Sequence, residues 1–137
     1  MARPSPKNGN GEIVAAEGTA AIVIDDQRRL AELLAERLAM DGFETTVATT
    51  ATEALKICGT RSYEVAFIDL QLPDMSGIAA ASELKKMLPK LRVILMTGFA
   101  ASLNDLDAHW SHVDAVLPKP WRPAELSAIL RALGKDG

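Results

Sequence analysis

The stretch VAFIDLQLPDMSG, residues 65–77, indicates how this sequence folds. It opens with apolar residues that suit a strand buried on both faces of a sheet, and this strand ends on Asp69. Pro73, Asp74 and Gly77 are typical of a loop, and a helix is predicted over about residues 76–88. A strand, a loop and a helix in this order form the repeating unit of an α/β protein.

The same unit recurs before and after this stretch. Apolar, β-branched runs predict three further strands, at residues 20–24, 92–96 and 115–117, and the alternating stretch at residues 43–48 predicts an outer strand. Apolar residues at helical spacing predict four further helices, marked by Leu34, by Thr50 as N-cap with Gly59 as the stop, by Leu103 with Leu106, and by Pro123 with Leu130. Five strands that alternate with five helices predict right-handed crossovers and a parallel sheet covered on both faces.

Length and composition limit the class of protein. A chain of 137 residues suits one domain, and its net charge of -3 argues against direct binding of nucleic acid. No apolar run is long enough to span a bilayer, which predicts no membrane contact. Residues 1–18 are rich in proline, glycine and asparagine and are predicted to form a flexible N-terminal tail, with the domain over residues 19–134. Cys58 has no second cysteine to pair with, so it is interpreted as a small buried helical residue in a cytoplasmic protein.

Polar side chains stand where the predicted strands end. Asp25 and Asp26 follow the first strand, Asp69 ends the third, Thr97 follows the fourth and Lys119 comes shortly after the fifth. Because ligands of such sheets bind beyond the carboxyl ends of the strands, we expect these side chains to form one site.

This set of side chains has a definite chemistry. Three carboxylates brought together repel one another unless a cation lies among them, and an oxygen-rich site with room for water suits Mg²⁺. Lys119 adds a second positive charge, Thr97 offers a hydroxyl, and Gly98 leaves its backbone N–H unobstructed by a side chain. Together these groups would neutralise a phosphoryl group that arrives in line at a carboxylate oxygen. The pattern therefore predicts phosphoryl transfer to an aspartate by positioning and electrostatics.

Four motifs, in order, resemble the receiver domain of two-component response regulators: IDD at 24–26, IDLQLPDMSG at 68–77, MTG at 96–98 and KP at 119–120. The resemblance covers roughly residues 19–133. It implies a flavodoxin-like, doubly wound (βα)5 fold with a five-stranded parallel sheet in the order 2-1-3-4-5. It also implies phosphorelay signalling, in which a sensor histidine kinase or a histidine phosphotransfer protein donates the phosphoryl group. The last two helices and the fifth strand would present the output face, and some family members form a homodimer through it.

Carried to this sequence, the resemblance implies that Asp69 is the phosphorylated residue. It implies that Asp26 binds Mg²⁺ directly and Asp25 mainly through water. Asp69 itself and the backbone carbonyl of Gln71 would be further ligands.

The resemblance also assigns the residues that hold the phosphoryl group. Lys119 would contact one phosphoryl oxygen, and Thr97 would swing inward to hydrogen-bond another, with Gly98 beside it. The Lys119–Pro120 bond is similar to the cis peptide of the family, which aims the lysine.

Some positions depart from the family pattern. Val116 stands where the family often has an aromatic residue, so the usual aromatic toggle is expected to be absent or altered and the switch to depend more on Thr97. Gln71 and Phe99 match positions that border the path of the hydrolytic water, and the bulk of Phe99 is predicted to prolong the life of the phosphoryl group. Trp110, in the weakest predicted helix, belongs either to the core or to a partner surface.

Two other functions fit the sequence less well than a phosphorylation switch. A phosphatase of the haloacid dehalogenase kind needs a second aspartate two residues after its nucleophile, where this chain has Gln71, so an enzyme is not expected. A pseudo-receiver that binds partners without phosphorylation would lack an acidic residue, Thr97 or Lys119, and none is missing. Two forms of receiver stay open: a stand-alone protein, and a domain excised from a hybrid histidine kinase or a larger regulator.

Overall fold

A computed structural model describes residues 19–98 and 112–135. These ranges contain five strands and four helices: β1 (Ala20–Ile24), α1 (Arg28–Met40), β2 (Glu44–Ala48), α2 (Ala51–Cys58), β3 (Val65–Asp69), α3 (Gly77–Met87), β4 (Arg92–Thr97), β5 (Ala115–Pro118) and α4 (Pro123–Lys135). The predictions for the tail at residues 1–18, for the helix around Leu103 and Leu106, and for Phe99 and Trp110 lie outside the described residues.

The five strands form one parallel sheet in the order β2-β1-β3-β4-β5. β3 lies at the centre, where it pairs with β1 as far as Ile68 with Ile24 and with β4 as far as Asp69 with Met96. This order confirms the flavodoxin-like, doubly wound fold. The strand order reverses at β1 and β3, so the cleft beyond their carboxyl ends is the expected place for a ligand.

Apolar side chains cover both faces of the sheet, because successive strand residues point to opposite sides. On one face α1 and α4 pack against the strands, and the buried core there includes Leu34, Leu38, Phe67, Ile94 and Leu130. On the other face α2 and α3 pack, and the buried core includes Ile22, Ala54, Ile68, Ala81 and Leu84. Because helices pack against both faces of the sheet, the strand ends are fixed in position. The side chains at those ends are fixed with them.

Helix α2 begins at its predicted N-cap. Thr50 Oγ1 accepts a hydrogen bond from the N–H of Glu53 at 3.0 Å, and Glu53 Oε1 accepts one from the N–H of Thr49 at 2.8 Å. This reciprocal pair ties the first turn to the residues before it. Gly59 follows the helix as predicted, but its φ of −73° is right-handed, so the helix ends there without the left-handed turn that favours glycine.

Asp74, in the loop between β3 and α3, also holds the start of α2. Its Oδ1 accepts a hydrogen bond from the N–H of Ala51 at 3.0 Å, and its Oδ2 accepts from the N–H and the Oγ1 of Thr52 at 2.8 and 2.6 Å. The hydrogen bonds from Thr52, with that from Ala51, lower the pKa of Asp74 to about 2, because they stabilise the ionised carboxylate. The carboxylate thus joins this loop to a helix distant in sequence.

The lowered pKa of Asp74 predicts a loss of stability in acid. In the unfolded chain this carboxyl titrates at its ordinary value of 3.8, above the folded value of about 2. Folding therefore favours the ionised form, and its contribution is complete above the unfolded pKa and disappears as the pH falls through the folded one. We expect urea unfolding at pH 7 to show Asp74→Asn as less stable than the wild type, and the difference to shrink towards pH 3. A difference independent of pH would contradict this origin.

Where predicted and observed boundaries differ, they differ by one residue. β2 begins at Glu44 instead of Phe43 because its pairing with β1 starts at Ala20 with Glu44. Thr97 and Pro118 are the last residues of β4 and β5, where they still pair with each other.

Cys58 is buried at the end of α2, and burial raises the pKa of its thiol to about 11. A thiol that stays protonated behaves as a small apolar residue, as interpreted from the sequence. Among the described helices, none has the length and apolar character needed to cross a membrane.

Candidate functional site

The polar side chains predicted at the strand ends lie at one edge of the sheet. Asp25 and Asp26 follow β1, Asp69 ends β3, Thr97 ends β4 and Lys119 follows β5. They line one cleft of about 790 Å³, which has room for a hydrated cation and a phosphoryl group together. Asp25 and Thr97 are buried, whereas Asp26 is exposed. The fold thus collects residues from four strand ends around a polar floor.

One wall of this cleft is apolar. Leu30 and Leu33 of α1 line it and are 42% and 39% exposed, which is high for leucine. Trp121 lines the cleft too and packs, partly buried, against the core between the sheet and α1. The cleft therefore offers an apolar surface beside its acidic floor.

Lys119 joins the two buried carboxylates of the site. Its Nζ lies 2.8 Å from Asp25 Oδ2 and 3.0 Å from Asp69 Oδ2, and Gln27 Oε1 lies 3.5 Å away. The side chain of Asp25 is 1% exposed and that of Asp69 12%. Buried charges are stable when they are paired, so the amine and the two carboxylates hold each other in place.

Backbone N–H groups orient the same two carboxylates. Asp25 Oδ1 accepts from the N–H of Gln27 at 2.9 Å, and Asp69 Oδ1 accepts from the N–H of Gln71 at 3.0 Å. Each aspartate thus has one oxygen on an amide two residues further on and the other oxygen on Lys119. Equivalent bonds at the ends of β1 and β3 fix both carboxylates toward the shared cleft.

The site shifts the pKa of Asp69 and of Lys119. Burial raises the pKa of Asp69, an effect that hydrogen bonds from Gln71 and Lys119 oppose and that the charge of Asp25 adds to. Burial alone would lower the pKa of Lys119, but its hydrogen bonds to Asp25 and Asp69 outweigh that effect and raise it. Lys119 therefore remains protonated at neutral pH. Further positive charge beside Asp69 would favour the ionised form of the Asp69 carboxyl.

The acidic side chains form a set that suits a divalent cation. Asp25, Asp26 and Asp69 each offer a carboxylate oxygen, and these atoms lie within 4.8 Å of one another. Oxygen ligands, with one exposed carboxylate that leaves room for water, match the preference of Mg²⁺. The residues present therefore fit the ion that the sequence predicted.

A family model for the response regulator receiver domain matches residues 21–131. The chain belongs to this family. The receiver is 30% identical over 112 residues to the transcriptional regulatory protein SrrA of Staphylococcus aureus, in a match that covers 82% of this chain and 46% of SrrA. It thus spans about half the length of that relative. Receiver domains are signalling switches that interact with histidine kinases or phosphotransfer proteins, and this chain is a receiver of phosphorelay signalling.

Solved receiver structures share this fold. A response regulator from Burkholderia pseudomallei with a phosphorylated aspartic acid, a calcium ion and citrate is 28% identical to the receiver, with a TM-score of 0.76 over 86% of this chain and 69% of that one. TrrA from Thermotoga maritima, in complex with Mg²⁺–BeF, is 29% identical, with a TM-score of 0.75 over 84% and 98% of the two chains. The family and fold predicted from four short motifs are confirmed.

Thr97 and Gly98 line the cleft, and Val116 lies in β5, beside β4. Thr97 is 2% exposed and Gly98 lines the cleft next to it. A Cβ added at Gly98 would meet nothing nearer than the carbonyl oxygen of Lys119, at 3.8 Å, so packing does not require glycine here. Val116 pairs with Leu95 in the sheet and is partly buried. The peptide bond Lys119–Pro120 is cis, as the resemblance implied.

Sequence reasoning missed the reason for Gly77. The sequence marks Gly77 only as typical of a loop, but a Cβ at this position would lie 2.3 Å from the carbonyl oxygen of Asp69. The backbone at the start of α3 touches the end of β3, and the N–H of Gly77 donates to the carbonyl of Leu70 at 2.7 Å. The constraint is close approach, which a single sequence shows only as another glycine in a loop.

Proposed function

We propose that this receiver accepts a phosphoryl group on Asp69 in a Mg²⁺-dependent reaction and acts as a conformational switch through protein contacts. The position of Lys119 carries the proposal, because its amine contacts both Asp69 and Asp25, at 3.0 and 2.8 Å. The accepting carboxylate, a neutralising amine and a set of metal ligands lie in one cleft. The receiver serves as a switch and not as an enzyme.

The reaction is a transfer from a phosphohistidine of a sensor kinase or phosphotransfer protein. A carboxylate oxygen of Asp69 attacks phosphorus, a P–O bond forms, and the P–N bond breaks with its electron pair left on the imidazole of the donor. Lys119 neutralises charge on one phosphoryl oxygen, and the hydroxyl of Thr97 and the N–H of Gly98 donate to others. The cleft supplies these groups before the donor arrives, which lowers the cost of positioning them.

Asp25, Asp26 and Asp69 would hold Mg²⁺, together with the backbone carbonyl of Gln71. When bound, the ion neutralises charge on the transferred group. The acidic cluster of this chain supports this assignment, as do the calcium ion in the Burkholderia pseudomallei regulator and the Mg²⁺–BeF in TrrA.

The readout we propose follows from the positions around Asp69. Thr97 moves toward the phosphoryl group, and Val116, with no ring to swing, leaves the change to the segment that follows β4. Gln71 and Phe99 set the rate of hydrolysis. The output face comprises β5, α4 and the helix predicted from the sequence around Leu103 and Leu106. A homodimer forms through this face, and the receiver does not contact nucleic acid directly.

The proposed domain covers residues 19–134, behind a tail of residues 1–18, and the receiver works in the cytoplasm. Its match to about half of SrrA supports the alternative that it is part of a larger regulator.

Incubation with acetyl phosphate and Mg²⁺ tests the acceptor. We expect intact-mass spectrometry to show one added phosphoryl group on the wild type and none on Asp69→Ala. Asp41→Ala is a matched control: Asp41 pairs with Arg37 on the surface, at the far end of α1, and the variant should be phosphorylated like the wild type.

If the added phosphoryl group persists in Asp69→Ala, a residue other than Asp69 is the acceptor. If the wild type gains no mass at any Mg²⁺ concentration, the second candidate, an interaction module that works without phosphorylation, is favoured instead.

A further inference from the structure

The metal ligands of the proposed site come from two separate parts of the chain. Asp25 and Asp26 follow β1, whereas Asp69 and Gln71 belong to the end of β3 and to the loop, residues 70–76, that leads into α3. The pairing of β1 with β3 reaches Ile24 with Ile68 and goes no further. Beyond that point, Lys119 joins Asp69 to Asp25, and the N–H of Gln71 donates to Asp69 Oδ1. The part of the loop after Gln71 needs a further contact to be held relative to the β1 side.

The base of loop 70–76 is closed on itself. The N–H of Gly77 donates to the carbonyl of Leu70 at 2.7 Å, and Gln71 and Ser76 form an antiparallel bridge. Ser76 in turn caps α3 by accepting from the N–H of Ala79 at 3.1 Å. These bonds shape the loop internally, but they do not connect it to the β1 side of the site.

Asp74, near the tip of this loop, makes such a connection. Its carboxylate accepts three hydrogen bonds, at 3.0, 2.8 and 2.6 Å, from Ala51 and Thr52 at the start of α2. A carboxylate at a helix start is stabilised by the N–H groups and by the helix dipole. That helix start comes three residues after Ala48, whose carbonyl accepts the N–H of Asp25 at 3.0 Å. A short chain of contacts thus runs from the loop of Gln71 to the backbone of Asp25.

We propose that Asp74 is a positioning residue for Mg²⁺: it anchors loop 70–76 to the start of α2 and so holds the backbone carbonyl of Gln71 in place beside the aspartates of β1. The inference rests on the proposed Mg²⁺ site. Replacing a residue that orients metal ligands without contacting the metal commonly lowers metal affinity by about 10- to 100-fold. Asp74 touches no reacting atom, so its effect is on binding of the ion and not on transfer itself.

Isothermal titration with Mg²⁺ on the whole chain tests this role. We expect Asp74→Ala to weaken Mg²⁺ binding by about tenfold, and Thr52→Val, which removes one of the three bonds, to weaken it by about two- to threefold. Thr50→Ala is the matched control, since it removes a cap of the same helix without touching the loop. It should lower stability to urea and leave Mg²⁺ affinity within about twofold.

Phosphorylation by acetyl phosphate gives a second readout that loss of stability alone would not produce. For Asp74→Ala we expect the Mg²⁺ concentration at half-maximal rate to rise by about tenfold, with the rate at saturating Mg²⁺ within about twofold of the wild type. Thr52→Val keeps the test decisive if Asp74→Ala does not fold.

The outcomes separate this inference from the proposed function. If the wild type binds no Mg²⁺, the proposed metal site itself is wrong. If the wild type binds Mg²⁺ and both loop variants bind it equally well, or if Thr50→Ala weakens binding as much as they do, the positioning role of Asp74 is overturned while the site stands.

Discussion

Lys119→Met is expected to lower the free energy of unfolding by about 3 kcal/mol in the absence of Mg²⁺, and added Mg²⁺ to restore most of that loss. The amine of Lys119 lies 2.8 Å from Asp25 and 3.0 Å from Asp69, and the Asp25 side chain is 1% exposed. Without the amine, two buried carboxylates face each other with no positive charge between them. A bound Mg²⁺ supplies that charge, so it should stabilise the variant more than the wild type. Urea unfolding with and without Mg²⁺ measures both effects.

Lys85→Met is the matched control for this prediction. Lys85 pairs with Asp114 at 2.9 Å, and its side chain is 19% exposed, against 17% for Lys119. Its loss should leave the stabilisation by Mg²⁺ unchanged, because Asp114 is not among the proposed ligands. A destabilised Lys119→Met that Mg²⁺ does not rescue would mean that the lysine acts through packing and not through its charge.

At saturating Mg²⁺ we still expect phosphorylation by acetyl phosphate to be about 100-fold slower in Lys119→Met, since a phosphoryl oxygen loses its donor.

Gly77→Ala is expected to destabilise the fold by about 3 kcal/mol and to slow phosphorylation by about 100-fold. An added Cβ would lie 2.3 Å from the carbonyl oxygen of Asp69 and 2.9 Å from the Cα of Leu70. Both are backbone atoms, so no side-chain rotation can relieve the overlap, and the start of α3 must move away from the end of β3. The residue that this movement would displace is Asp69, the proposed phosphoryl acceptor, so one substitution should lower both the stability and the phosphorylation rate.

Gly59→Ala provides the control for the substitution. Gly59 has a right-handed φ of −73°, and a Cβ there would meet its nearest neighbour at an ordinary distance of 3.4 Å. We expect this variant to keep its stability within about 1 kcal/mol and its phosphorylation rate unchanged. Urea unfolding and the intact-mass time course with acetyl phosphate would compare the two variants. Equal stability of Gly77→Ala and Gly59→Ala would contradict the close approach of α3 to β3.

The strand boundaries predicted from the sequence lie within one residue of those observed, and the signal is clearest for β1, β3 and β4, which are buried along nearly their whole length. A strand of this kind is a short, nearly continuous apolar run, and the change to polar residues marks its end. The same change marked the site, since Asp25, Asp69 and Thr97 stand at those ends. The order of the strands was not readable from periodicity, because the same runs suit several sheet orders, and it came from the resemblance of the motifs to receiver domains.

Contacts between residues that are far apart along the chain could not be predicted from the sequence. The sequence marks Asp74 only as a loop residue, because its partners Ala51 and Thr52 precede it by 23 and 22 residues. Lys119 was expected near a phosphoryl group, but its pairing with Asp25, 94 residues away, needed the sheet to bring β1 and β5 to one edge. Gln27, whose backbone orients Asp25, carries no side-chain signal for a role that its N–H performs.

By itself, the sequence determined which residues could form the site, because local patterning decides where each strand ends and which side chain stands there. It also excluded a second catalytic aspartate, since Gln71 occupies the place where one would be needed. The tertiary structure alone decided how those residues meet. Lys119 joins Asp25 to Asp69, Gly77 allows α3 to touch the end of β3, and Asp74 ties loop 70–76 to α2. The physical reason is that these contacts depend on how strands and helices pack, whereas a linear pattern records only what is close along the chain.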